Sequence, residues 1–380
     1  MNRSLYQKVN CRQMIRTFFR RFFITLSILV CIIYLLACLA PFLNPHPWYI
    51  FGFLSLVFPY LVILLIFSIF FWLIAKPRWA LLPFIVLLLG WKQLSVLFGF
   101  HFASKFTSSK PAPHIRLVDW NVGNMYGLSN NTDKKKHNRT EIAEAILKLQ
   151  PDIICLQEFN HSTTQGPEAD NIGLFSATYR YYYFSKDVNK ENGFYQYGSI
   201  IFSKLPIIDS GRIQYPGRPE SLIYADILSG KDTIRIYTSH LQSFKFGKKD
   251  YSDIDKIEQD KQTLIASKNI FQKMKMAFIE RGKQADVVRT ELDSCQHPSI
   301  ICGDFNDVPG SYTYFHIRNK RQDAFLTKDF GIGRSFISLA PTLRIDYILP
   351  DNNFTIHQFD MDDEDLSDHI MLVSDVSLKK

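Results

Sequence analysis

From Phe22 to Ala75 the chain runs for 54 consecutive residues without an Asp, Glu, Lys or Arg. One membrane helix needs about 20 apolar residues, so this stretch is too long for a single span and fits two joined by a turn. Asn44-Pro45-His46-Pro47 supplies the turn, because each proline lacks a backbone donor and obstructs helix continuation. The expected spans are 22–43 and 48–75, closed by Lys76-Pro77-Arg78. A third apolar stretch, 79–100, is interrupted by Lys92 and Gln93. It reads as a further span whose Lys92 ammonium reaches toward an interface, with a shorter re-entrant or interfacial helix as the alternative. Trp48, Tyr49, Trp72, Trp79 and Trp91 fall near the ends of these stretches, where interfacial aromatics collect.

Charge sets the expected orientation. Six Lys/Arg lie in residues 1–21, the first turn has none, and Lys76 and Arg78 follow the second span. This pattern places residues 1–21 and the 76–78 turn in the cytoplasm. Three spans would then deliver the rest of a multi-pass membrane protein outside the cytoplasm; two would leave it inside. Leu35-Leu36-Ala37-Cys38 has the form of a lipoprotein cleavage box, but two further apolar segments follow, which favours a plain membrane helix. No acid and no acid–base pair lies in the apolar segments, so they read as an anchor and not as a transport route.

The basic excess belongs to this part alone. The chain has 44 Lys+Arg and 36 Asp+Glu; residues 1–113 hold eleven of the former and none of the latter. That leaves 33 basic and 36 acidic residues in 114–380, a net charge of −3. A generic nucleic-acid-binding surface on that part is disfavoured. The six cysteines show no zinc-ligand spacing, and Cys155 and Cys302 sit inside apolar runs as small hydrophobes.

Residues 101–113 form a short linker with Ser, Thr, Lys and two prolines. Beyond it, in 114–380, short apolar runs alternate with polar and Gly/Pro turns, the signature of strands. The expected strands are 115–122, 152–157, 179–184, 198–202, 222–227, 233–239, 299–302, 345–349, 354–358 and 371–376. A helix is expected over Thr140–Leu149, and a long mixed-charge helix over 254–292 with a break near Gly282. Lys134-Lys135-Lys136 reads as a solvated loop. The expected class is α+β, with two packed β-sheets flanked by helices, preceded by an α-helical membrane region.

Several strands end in polar residues of one chemical kind. Trp120-Asn121-Val122, Leu156-Gln157-Glu158, Gly303-Asp304-Phe305-Asn306 and Ser367-Asp368-His369 each place Asp, Asn, Glu or His beside an apolar run. Hard oxygen ligands together with histidines suit Mg²⁺-assisted hydrolysis of phosphate esters. In an extended segment residues two apart share a side, so Asp304 and Asn306 are expected to face one phosphate.

With Gly198 to Ile207, Thr238-Ser239-His240-Leu241 and Arg344-Ile345-Asp346-Tyr347-Ile348, these fragments make residues 115–376 resemble the endonuclease/exonuclease/phosphatase (DNase I-like) superfamily. The resemblance implies a four-layer α/β-sandwich and a Mg²⁺ cofactor, with Mn²⁺ as a substitute. It implies Glu158 as principal metal ligand, with Asn121 near the metal and Asp368 as a further carboxylate on that side. Asp304 would orient or deprotonate the attacking water, and Asn306 would hold that water or a phosphate oxygen. His369, fixed by Asp346, would contact phosphate or protonate the leaving group, with His240 as a second histidine. Gly123 departs from the pattern of abasic-site endonucleases, which carry an acid there, and this favours one metal and disfavours DNA repair. The expected partners are a phosphate-ester substrate (nucleic acid, phospholipid headgroup or small ester) and the lipid bilayer; no protein partner is evident. The competing reading is a catalytically silent binding protein of the same fold. Retention of Asn121, Glu158, His240, Asp304, Asn306, Asp346, Asp368 and His369 weighs against it.

Overall fold

A computed structural model describes residues 3–102, 106–128, 132–247, 250 and 263–379. Helices α1 (Arg3–Ala37), α2 (Pro45–Trp48) and α3 (Ile50–Ala75) begin the chain. The segments Gln13–Phe42 and Ile50–Ala75 are each long and apolar enough to cross a membrane. α1 and α3 pair as a hairpin, Tyr34 stacking on Phe58 with ring centroids 5.2 Å apart. Toward the Lys76 end, Ser27 Oγ accepts hydrogen bonds from Trp72 Nε1 at 2.9 Å and Ser68 Oγ at 3.0 Å. Such bonds hold membrane helices together where burial of apolar surface does not.

The third apolar stretch is not one straight span. It folds as a one-turn 3₁₀ segment (Pro77–Ala80) and α4 (Leu81–Leu89), then α5 (Trp91–Leu97) after a 72° bend at Gly90. Glycine at the bend allows a close approach to α1: a Cβ on Gly90 would lie 1.9 Å from the Tyr34 hydroxyl. Tyr34 in turn donates to the Leu87 carbonyl at 3.0 Å. Gln93 donates to the Cys38 carbonyl, and the Lys92 ammonium stands 4.2 Å from the Phe42 ring and 5.0 Å from Phe315. The broken segment therefore still carries the chain from the Lys76 end of the hairpin to its Asn44 end.

The remaining elements are β1 (Gly99–Phe100), β2 (Ile115–Asn121), α6 (Thr132–Lys148), β3 (Ile153–His161), α7 (Gly173–Ser176), β4 (Tyr181–Phe184), β5 (Val188–Lys190), β6 (Tyr195–Ser203), β7 (Ile207–Gln214), β8 (Ser221–Ser229), β9 (Asp232–His240), α8 (Thr263–Ser294), β10 (Ser299–Asp304), α9 (Tyr312–Arg318), α10 (Ala324–Lys328), β11 (Phe330–Gly331), β12 (Asp346–Pro350), β13 (Phe354–Asp362) and β14 (Met371–Leu378). One sheet runs β13-β14-β2-β3-β6-β4, with β5 also paired to β6; the other runs β12-β10-β9-β8-β7. Apolar residues of both sheets, among them Leu117, Ile201, Ile236 and Ile300, form the core between them. The outer face of the first sheet buries α6 and α7, with Ile142, Ile146 and Phe175 against Val118 and Phe202. The outer face of the second buries α8 and α9 through Ala285, Val288, Tyr314 and Ile317. The result is the expected four-layer α+β sandwich.

All ten expected strands are present, with shifted ends. The edge strand β7 was not foreseen, since Ile207–Gln214 is half exposed and has no run of apolar residues. Lys134–Lys136 lie in α6 and not in a loop, because the helix begins eight residues before Thr140. The 254–262 part of the expected long helix lies outside the described residues. The described part, α8, continues through Gly282 without the expected break. That glycine serves close approach: a Cβ there would lie 2.4 Å from Asn44 Oδ1.

The same contact docks the sandwich onto the apolar α1–α3 hairpin. Asn44 Nδ2 donates to Asp286 Oδ2 at 2.8 Å, and Phe53 packs on Phe271 and Phe278 with centroids 4.8 and 5.0 Å away. Val96 of α5 is buried in the α8/α9 core, and its carbonyl accepts from Arg344 Nη2 at 2.9 Å. Arg344 is itself buried and paired with Asp323 at 2.7 Å. The domain thus sits at the Asn44 end of the hairpin, away from Arg16, Arg20, Arg21, Lys76 and Arg78.

Candidate active site

Neighbouring strands of both sheets end at one edge of the sandwich, and their terminal polar residues meet there. β2 and β3 are parallel with Asn121 opposite Gln157; β9 and β10 are parallel with His240 opposite Asp304, and Asp304 also faces Asp346 on β12. The seven-stranded sheet thus contributes Asn121 and Glu158, and the five-stranded sheet His240, Asp304 and Asp346. The loop before β14 adds Asp368 and His369.

Glu158 is not at the end of its strand. β3 continues to His161, and Glu158 occupies a β-bulge with φ +51°, which turns its carboxylate toward the cleft. Its Oε1 lies 3.4 Å from Asn121 Nδ2 and 3.7 Å from His240 Nε2. Asp304 is fully buried. Its Oδ2 accepts from Asn121 Nδ2 and Asn306 Nδ2, each at 3.1 Å, and its Oδ1 accepts the Asn306 backbone N–H at 2.8 Å. Asn306 reaches Asp304 through a tight turn at φ +52°, not through the extended two-residue periodicity expected. His240 Nε2 is buried with no hydrogen-bond partner and points between Asp304 Oδ2 at 3.6 Å and Glu158 Oε1 at 3.7 Å.

His369 is clamped. Both Asp346 oxygens lie 3.0 Å from its Nδ1, and its Nε2 is 3.7 Å from Asp304 Oδ2. Asp346 is held by its own backbone N–H donating to Ser335 Oγ, and the His369 carbonyl accepts Trp120 Nε1 at 2.7 Å. Burial alone would discharge the imidazole, but Asp346 and then Asp304 override it and push it up to about 10. Burial, reinforced by Asp346, pushes the Asp304 carboxyl up to about 6. Asp368 is half buried, and burial raises it as well.

Asp304, Asp346 and His369 form the tightest buried acid–imidazole group, with ligand atoms within 4.8 Å of one another. It is a poor seat for a cation, because the imidazolium already supplies the positive charge between the two carboxylates. Glu158 and Asp368, by contrast, face the cleft with no Lys or Arg paired to either among the described residues.

Sequence reasoning missed the residues that hold this arrangement. Ser367 Oγ donates to the Asn121 carbonyl at 2.7 Å, and Gln157 Nε2 bridges Asp119 Oδ1 and Thr238 Oγ1 at 2.7 and 2.8 Å between the sheets. Asp119 is buried deeply enough to be raised well above the usual carboxylate range. An Asp between Val118 and Trp120 in the fully buried strand β2 was the available signal.

The chain belongs to the Endonuclease/Exonuclease/phosphatase family, which it matches over residues 120–369. Members of this family are metal-dependent hydrolases of phosphoester bonds. Residues 20–97 match a domain of unknown function (DUF8431). Similar solved structures include an endonuclease/exonuclease/phosphatase from Beutenbergia cavernae, at 17% identity, covering 70% of this chain and 72% of that one with TM-score 0.48. The catalytic domain of human Nocturnin with bound sulfate has 18% identity, 70% and 94% coverage, and TM-score 0.49. Truncated Caenorhabditis elegans TDP2 has 15% identity, 70% and 99% coverage, and TM-score 0.47. No curated protein matches the chain significantly.

Proposed function

We propose that this protein is a membrane-anchored, Mg²⁺-dependent phosphoesterase, with Mn²⁺ as a working substitute. The observation that carries this reading is the approach of His369 and His240 to one Asp304 oxygen, at 3.7 and 3.6 Å, with Glu158 3.7 Å beyond His240. Asn121, Glu158 and Asp368 would hold the ion, since they offer hard oxygens and neither carboxylate has a Lys or Arg partner among the described residues. When bound, the ion polarises the phosphoryl oxygens and offsets charge developing there. Asp304, as a carboxylate, takes the proton of the attacking water as its oxygen bonds to phosphorus. Asn306 and Asn121 fix the Asp304 oxygens. The ester P–O bond breaks away from the water, and the departing oxygen receives its proton from His369, whose charge Asp346 maintains. His240 donates to a non-bridging phosphate oxygen, which satisfies its unpartnered Nε2.

The test uses purified full-length protein with bis-p-nitrophenyl phosphate, supercoiled DNA, single-stranded RNA, sphingomyelin and an inositol polyphosphate. Hydrolysis of at least one, lost on chelation and restored by Mg²⁺ or Mn²⁺, is the expected outcome. A folded, Mg²⁺-loaded protein that turns over none of them would favour the silent binding protein.

We place the catalytic domain outside the cytoplasm. Its docking at the Asn44 end, opposite the Lys/Arg-rich end of the hairpin, supports this with the positive-inside rule. Protease added to intact cells or spheroplasts should cleave the domain; full protection would put it on the cytoplasmic side.

A further inference from the structure

We infer that the substrate is a phosphate ester bearing a long hydrocarbon chain, which reaches the catalytic pocket from the bilayer along an apolar groove; this rests on the phosphoesterase reading above. Leu56, on membrane helix α3, is part of the pocket wall beside Phe336, Leu339 and Leu343. A catalytic cleft bounded by a membrane helix is in reach of molecules that lie in the membrane.

The pocket itself holds only about 170 Å³, below the roughly 300–1,000 Å³ of sites that enclose a whole small molecule. It fits a phosphate with its immediate substituents. Two larger spaces adjoin it, and they differ in chemistry. On one side lies an open polar vestibule of about 680 Å³ at Gly123, Asn124, Ser338 and Ser367, sharing Glu158, Asp368 and His369 with the pocket. On the other lies a groove of about 580 Å³ between Pro59, Ile63 and Ile66 of α3, Trp91 and Leu94 of α5, and the Val308–Gly310 loop. Val308 lines both the groove and the pocket, four residues after Asp304.

The groove is walled almost entirely by hydrocarbon, and it is open along α3, where Ile63 is 59% and Ile66 40% exposed. A polyanion or a sugar phosphate gains nothing from such a wall, whereas a hydrocarbon chain can pass from the bilayer into it without being exposed to water. A phosphate placed between a polar vestibule and an apolar groove is the layout of an amphiphile. The rim agrees. Phe100, Phe102, Phe330, Ile332 and Leu339 are exposed large hydrophobics of the domain, Phe102 stacking on Phe330 at 4.8 Å. Ile332 also lines the groove, so this rim continues the lipid-facing surface of the helices.

The test uses full-length protein in nonionic detergent micelles with Mg²⁺ and two esters that differ only in chain length, p-nitrophenyl butyl phosphate and p-nitrophenyl hexadecyl phosphate. The hexadecyl ester is expected to have a kcat/KM about tenfold or more above the butyl ester, expressed in KM, because only its chain is retained in the protein's micelle and is long enough to occupy the groove. Ile63→Trp fills the groove and should bring the ratio down toward one; Leu94→Trp serves if that variant does not fold. Native mass spectrometry of the Glu158→Gln protein should show retained hexadecyl ester, lost when Ile63→Trp is added. Equal kcat/KM for the two esters, or a ratio unchanged in a folded groove variant, would overturn the lipid substrate while leaving the phosphoesterase standing. Absence of hydrolysis of both esters by a protein that turns over another of the substrates named above would likewise overturn the lipid substrate; turnover of none of them would remove the phosphoesterase reading, and this inference with it.

Discussion

Asp304→Asn is expected to lower kcat by about 10²–10⁴-fold while KM changes only severalfold, the range for loss of a positioned general base. The substitution keeps the side chain's size and buried position. It replaces an acceptor by a donor at a place where Asn121 Nδ2 and Asn306 Nδ2 already point inward at 3.1 Å. The variant cannot take a proton from water. The pH profile separates this role from simple misplacement. Because burial and Asp346 push the Asp304 carboxyl up to about 6, it is neutral below that pH, and the wild-type rate should fall about tenfold per unit as pH drops through its pKa. A bound cation moves this limb to lower pH. The residual activity of the variant should lack the limb; persistence of the limb would assign it to another group. Stability gives an independent sign. A folded-state pKa above the ordinary 3.8 means that the fold loses stability as pH rises through the interval up to about 6. The variant should lack this pH dependence of stability, while its amide N–H, set against the Asn121 and Asn306 donors, lowers its melting temperature at every pH.

The parts of this fold that sequence made legible are those whose signal is local. An apolar run such as Leu117-Val118 or Ile300-Ile301-Cys302 that is followed within a few residues by Asn121 or Asp304 carries its own announcement. The same holds for the α1–α3 hairpin, where absence of charge and the Asn44–Pro47 turn are sufficient. What was not legible depends on partners far away in the chain. At the bend, Gly90 leaves room for Tyr34, and the unbroken passage of α8 through Gly282 leaves room for Asn44. Read locally, Gly282 is a helix breaker; read with its partner, it is a contact surface. Glu158 shows the intermediate case. Its residue type marked it as a candidate ligand, but its bulge depends on the pairing of β3 with β6. The contribution of α3 to the pocket wall was hidden for the same reason, since Leu56 is one apolar residue among many in that helix until the domain is docked beside it.

Glu158→Gln is expected to reduce Mg²⁺-dependent turnover by about 10³-fold or more, because the ion's stabilisation of the transition state contributes several kcal/mol and about 1.4 kcal/mol is a factor of ten. The change is close to isosteric and removes one negative charge. Its effect on the fold should be small, since the side chain is 28% exposed and its described contacts are the Asn121 amide at 3.4 Å and His240 at 3.7 Å. Calorimetric titration should show Mg²⁺ affinity weakened along with the rate, and raising Mg²⁺ should recover part of the activity. Asp304→Asn gives the contrasting pattern of slow turnover with the ion still bound. The pair of variants thus divides the site into a metal side and a proton-transfer side. If Glu158→Gln retained both Mg²⁺ affinity and turnover, the ion would have to rest on Asp368, whose carboxylate lines the same cleft. In that case Glu158 would serve to orient His240, its neighbour at 3.7 Å.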